Sequence, residues 1–130
     1  CRLALQAYEG IYPVVRNAGS NLVAISPMLS HFLVEFREEL GLTFPLLCDR
    51  HNSYASRLGL KYNISSNVRE VYKNSGIMLP YYNGNESWDL PVTASFIVDI
   101  EGIIRYAWRE TDHRKRSEPE DLVKFLMQIN

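Results

Sequence analysis

Two short apolar runs, Leu22 to Ser26 and Phe44 to Asp49, each stand between stretches whose apolar residues recur every three or four positions. The first run, Leu22-Val23-Ala24-Ile25-Ser26, is continuous and partly β-branched. Such a run is too short for a core helix and reads as a strand buried on both faces. A strand of that kind needs helices above and below it, which points to a three-layer α/β arrangement.

The rest of the chain fits that order. Leu3, Leu5, Ala7, Tyr8, Ile11, Tyr12 and Val15 form one stripe and predict a helix over 2–18, closed by Gly19. Pro13 falls inside it and is expected to kink it or break one turn. Ser26-Pro27 is expected to cap and open a second helix that reaches Leu40 and stops at Gly41. Phe44 to Asp49 reads as a second buried strand ending in a turn, and Asn52 to Leu58 as a short helix closed by Gly59. A weaker helical signal covers 67–74, and Gly76 to Pro91, rich in Tyr, Asn, Gly and Pro, reads as a surface loop with aromatic anchors. Ala94 to Ile100, Glu101-Gly102 and Ile103 to Trp108 give a hairpin. Ser117 and Glu120 have capping-box spacing, with Pro119 in the first turn of a closing helix through Leu122, Val123, Phe125, Leu126 and Ile129.

At 130 residues the chain reads as a single domain, 1–130. A formal net charge of -1 gives no general attraction to nucleic acid or to an anionic membrane. No apolar run approaches the ~20 residues needed to span a bilayer. Two cysteines far apart in sequence do not make a disulfide scaffold, so a reducing, cytoplasmic setting is the default expectation. Sequons at Asn63 and Asn85 are short patterns that arise often by chance.

Cys1 stands at the first turn of the leading helix, where the positive end of the helix dipole favours thiolate over thiol. The alternative is a cysteine that merely packs. Cys48, at the end of the second strand, is either a resolving thiol or a small apolar residue. Cys48 and His51 have a spacing seen in metal sites, but His31 and His113 are remote in sequence and four ligands cannot be assembled, so no zinc site is expected. His113-Arg114-Lys115-Arg116 is a basic run that could meet a phosphate or an acidic partner, or simply be solvated. Trp88, Tyr81 and Tyr82 either line a groove or anchor their loop.

Several segments, in order, resemble the AhpC/TSA peroxiredoxin-like branch of the thioredoxin fold. These are Leu22-Val23-Ala24-Ile25-Ser26-Pro27, Leu42-Thr43-Phe44-Pro45-Leu46-Leu47-Cys48-Asp49, Asn83 to Pro91, Phe96 to Ala107 and Arg116 to Leu122. The resemblance implies a thioredoxin-like three-layer α/β/α sandwich with a mixed sheet. It also maps Cys1 onto the reactive cysteine at the start of the first helix, about five turns before Gly19. The cysteine or threonine that the family pairs with it would lie three residues upstream. Where typical peroxiredoxins carry an arginine six residues before the strand-end Asp99, this chain has Thr93, a neutral donor that offers no charge.

The function implied by the resemblance is that of a thiol-dependent oxidoreductase, which reduces peroxides or exchanges disulfides through Cys1. Thr93 would assist, and Cys48 is a candidate resolving thiol. Its partners would be a peroxide or disulfide substrate and a thiol reductant, with a homodimer as one available assembly. No metal or organic cofactor, nucleic acid or membrane is implied. The alternative from another class is a thioredoxin-fold interaction domain without turnover. The family's strand ahead of the first helix has no counterpart in this sequence. It would be central, so further residues or a partner chain are expected to fill its place.

Overall fold

The computed structural model describes residues 2–110 and 118–129. In chain order the elements are α1 (Arg2–Asn17), β1 (Ala24–Ser26), α2 (Ser30–Leu40), β2 (Leu46–Cys48), α3 (Ser53–Arg57), β3 (Lys61–Asn63), α4 (Ser66–Asn74), α5 (Leu79–Asn83), β4 (Asp89–Pro91), β5 (Thr93–Val98), β6 (Ile104–Glu110) and α6 (Pro119–Ile129). A 3₁₀ turn at Arg50–Asn52 joins β2 to α3. These elements fall into two compact units. One comprises the described residues of 1–23, 40–45 and 92–130, the other those of 24–39 and 46–91.

In the first unit α1 packs against α6. The helix closes as a Schellman motif, with Gly19 at φ +79°, its N–H donating to the Arg16 carbonyl and the Ser20 N–H to that of Val15. The break expected at Pro13 does not occur: α1 runs unbroken through it. A proline withdraws only one helical donor, and the flanking turns are held from the side. Tyr12 meets Phe44 edge-on at 5.8 Å, and the Glu9 carboxylate accepts the Thr43 N–H (2.9 Å) and hydroxyl (2.5 Å). Val15, Leu42, Phe44 and Leu126 are the buried apolar residues of this unit, with Phe44 at 1% exposure. β5 and β6 form the expected hairpin, in register from Thr93↔Glu110 to Val98↔Ile104 with an irregularity between Ile97 and Val98. The Tyr106 and Phe125 rings lie 5.1 Å apart and tie β6 to α6. Ser117, the expected cap of the closing helix, lies outside the described residues.

In the second unit β1 and β2 pair in parallel, Ala24↔Leu46 to Ser26↔Cys48. Both are shorter than the apolar runs that predict them and neither is buried on both faces, since Ile25 and Leu47 are each 46% exposed. Among the described residues each has only the other as strand partner. α2 begins three residues later than expected. The Ser26 hydroxyl accepts the Met28 N–H at 3.2 Å and so stabilises a tight turn, while the Leu29 carbonyl takes the first helical bonds, from Phe32 and Leu33. The region expected to be loop contains α5 and β4, and β4 pairs antiparallel with β3, Lys61↔Pro91 to Asn63↔Asp89. Leu33, Ala55, Leu60, Ile64 and Trp88 are its buried apolar residues. Among the described residues the strand pairing is mixed, as expected, one parallel and two antiparallel ladders, but it is distributed over three two-stranded sheets.

Candidate functional site

Cys1 lies outside the described residues, as do His113, Arg114, Lys115 and Arg116. The helix after Cys1 begins at Arg2, and its first turn contains no acidic side chain. A helix N-terminus carries roughly half a positive charge on its unsatisfied amides, and here no carboxylate within the turn offsets it.

Thr93 opens β5 opposite Glu110 and is half-buried. Asp99 directly follows the same strand and organises the hairpin turn: its Oδ1 accepts the N–H groups of Glu101 and Ile103, both at 2.9 Å, and its Oδ2 accepts Arg105 Nε at 2.7 Å. The bond from Ile103, then that from Arg105, holds the carboxyl below its ordinary range. Asp99 therefore has a structural task at the turn.

Cys48, in the other unit, is a free thiol at the end of β2 and is half-buried. The residues after it are tightly organised. Asp49 is 9% exposed, and its carboxylate accepts the N–H groups of Tyr54 and Ala55, both at 2.8 Å, which starts α3. His51 and Asn52 then adopt consecutive left-handed conformations, φ 59° and 56°. Each such residue costs about 1–2 kcal/mol relative to a right-handed one, so two in succession need outside support. That support comes from the segment before β4. Asn52, at 1% exposure, donates Nδ2 to the Asp89 carbonyl at 3.1 Å, and Asn85 Nδ2 lies 3.1 Å from His51 Nδ1. Asn63 joins the same segment from β3, donating Nδ2 to the Ser87 carbonyl (2.7 Å) and to Asp89 Oδ1 (2.8 Å). Trp88, itself left-handed at φ 56°, is buried, accepts the Ile64 N–H on its carbonyl, and lies under Lys73 Nζ at 5.7 Å from the ring centre.

These contacts decide among several readings. Trp88 is an anchor. Tyr81 (64% exposed) and Tyr82 (39%) are not; they cluster with Phe32 and His31 on the surface, at ring separations of 4.1–5.3 Å. His51 is engaged by Asn85 rather than by Cys48. Among the described residues no group of three or more His, Cys, Asp or Glu side chains is arranged to hold a metal ion, and no helix is long and apolar enough to cross a membrane. The polar network of Asn52, Asn63, Asn85 and Ser87 is not anticipated by the sequence reading. Its one visible signal is the pair of Asn-x-Ser patterns, which mark side chains able to close their own turns as well as glycan acceptors.

Known proteins share the fold. The sequence profile of the AhpC/TSA family matches residues 1–107. Reduced Prx3 from Vibrio vulnificus, solved in complex with hydrogen peroxide, superposes with a TM-score of 0.71 at 16% identity, over 96% of this chain and 67% of that one. Enterococcus faecalis AhpC superposes with a TM-score of 0.71 at 20% identity, over 99% of this chain and 65% of that one. The chain thus has a thioredoxin-like fold and spans about two thirds of the length of either structure. No curated protein matches it.

Proposed function

The chain belongs to the AhpC/TSA family, and from that premise we propose that it is a thiol-dependent oxidoreductase whose nucleophile is Cys1. The observation that carries this reading is the match of the family's sequence profile over residues 1–107, which includes Cys1. A cysteine that precedes the first turn of a helix meets unsatisfied amides and a positive dipole end, which stabilise the thiolate that does the chemistry.

With a peroxide, the thiolate attacks one oxygen, an S–O bond forms as the O–O bond breaks, and the departing oxygen takes a proton and leaves as water or an alcohol. The resulting sulfenic acid condenses with a thiol, releasing water and forming a disulfide that an external thiol reduces. Cys48, a free thiol, is the candidate resolving thiol for that second step, and an external thiol is the other source. Thr93 would donate a hydrogen bond to the developing negative charge but supplies no positive charge. Disulfide exchange, which needs no charged group at that position, is therefore the favoured variant.

The test is the rate of Cys1 alkylation against pH in the full chain carrying Cys48→Ser. The expected profile titrates well below the ~8.5 of a free thiol, and one centred there removes the activated thiolate. Peroxide and disulfide turnover by the chain and by Cys1→Ser then separate the two reactions. Equal rates in both proteins would leave the interaction-domain reading standing.

A further inference from the structure

Ser87 fixes the direction of the Asn85 amide. Its backbone N–H and its hydroxyl both donate to Asn85 Oδ1, at 3.0 and 2.6 Å. The other end of that amide, Nδ2, is thereby turned to His51 Nδ1 at 3.1 Å. An amide nitrogen only donates, so Nδ1 must offer its lone pair, and the imidazole must be neutral with its proton on Nε2. A protonated ring would set N–H against N–H.

We propose that the His51–Asn85 contact is a proton-operated latch. It closes the 84–88 turn onto the 3₁₀ turn at Arg50–Asn52 while the imidazole is neutral and releases it when the imidazole is protonated. The ionisable groups on the elements packed around His51 are Asp89 on β4, and Tyr54 and Arg57 on α3, with Glu86 beside Asn85 and Asp49 and Arg50 in its own turn. Two of these carboxylates are already committed, Asp49 to the amides of Tyr54 and Ala55 and Asp89 to Asn63 and Lys61.

The second crossing, Asn52 Nδ2 to the Asp89 carbonyl, involves no titrating group and stays in place. Release is therefore local. The turn 84–88 loosens around a fixed anchor, and Trp88, buried at its end, reports the change.

Hydrogen exchange of the Ser87 amide, corrected for the intrinsic rate at each pH, reads the latch in the full chain. Protection should fall about three- to tenfold on acidification from neutral pH, the range expected when one hydrogen bond is lost. His51→Asn keeps a residue type that tolerates the left-handed conformation and cannot be protonated, so its protection should not change on acidification. As a second readout, Trp88 fluorescence in a Trp108→Phe background should change together with the protection, and should not change once His51→Asn is added. The latch is overturned if wild-type protection is unchanged on acidification, or if the wild type and His51→Asn respond alike.

Discussion

The hairpin turn at 99–103 and the turn at 84–88 solve the same problem with different materials. Each contains a left-handed glycine, Gly102 at φ +84° and Gly84 at φ +71°, and each is closed by a side chain accepting backbone donors. At the hairpin the acceptor is the Asp99 carboxylate, and every partner lies within six residues. At the other turn the acceptor is the neutral Asn85 amide, and the supporting contacts reach 24 to 37 residues along the chain, to His51, Asn52 and Asn63. The first turn is a local charged clasp at the surface. The second is a junction built mainly of asparagine amides that joins distant segments and includes a side chain at 1% exposure.

The largest expected effect tests that junction at its buried member. Asn52→Ala removes the donor to the Asp89 carbonyl and leaves a β-carbon residue in a left-handed conformation. Leaving a part-buried carbonyl unpaired costs about 1–3 kcal/mol, and the conformation adds about 1 kcal/mol over asparagine, so a loss of roughly 2–4 kcal/mol in urea unfolding is expected. Asn52→Gly relieves the backbone and should recover the smaller part. A loss under about 0.5 kcal/mol would show that the junction adds little and that the two turns are energetically alike.

The glycines sharpen the comparison further. A methyl group added at Gly84 would come within 2.8 Å of Leu29 Cδ2, whereas at Gly102 it would meet nothing within 4 Å. Both substitutions incur the left-handed penalty of about 1 kcal/mol. Only Gly84→Ala must also move the Leu29 side chain, whose outer carbons can shift, so its total is expected at about 1.5–2.5 kcal/mol against about 1 for Gly102→Ala. Chemical denaturation of the two variants side by side checks the order. Equal losses would mean Leu29 gives way freely.

The same contrast, local against distant, separates what is legible in the sequence from what is not. The hairpin is legible because Glu101-Gly102 sits between two β-rich runs and its contacts are local. α1 and α6 are legible because a long stripe at helical spacing has few other solutions. The β3–β4 ladder is not, because Lys61-Tyr62-Asn63 is exposed throughout and Asp89-Leu90-Pro91 ends in a proline, so neither carries a hydrophobic alternation. α2 starts later than expected because Ser26-Pro27 satisfies the rules for a helix start, and only the bond from the Leu29 N–H to the Tyr82 carbonyl, 53 residues on, shows that the helix waits. Of the site residues, Cys48 stands at the end of its strand, as its sequence context puts it, while Thr93 opens β5 one residue before the strand start that the sequence predicts. The left-handed pair His51–Asn52 is invisible to such reasoning, since its support is contributed by residues that are close only after folding.

The smallest effect lies in the pH response of the charged clasp. Asp99 is held below its ordinary value of 3.8, chiefly by the Ile103 N–H and then by Arg105, so the folded form binds its proton less readily than the unfolded form does. The stabilisation is therefore fully present above the ordinary carboxylate range and is lost as pH falls through the lowered folded value. Asp99→Asn keeps the shape and one acceptor oxygen while removing the charge. The stability difference between wild type and Asp99→Asn should be constant from pH 7 down to about 5, then shrink toward zero in strong acid. Because the carboxylate lies at the surface, the difference should also diminish in high salt through its Arg105 component. Acid unfolding curves of the two proteins at low and high salt measure both trends. A difference that instead disappears between pH 7 and about 5, above the range in which the Asp99 carboxyl gains its proton, would mean that another group controls the hairpin turn and that its description as a local clasp is wrong.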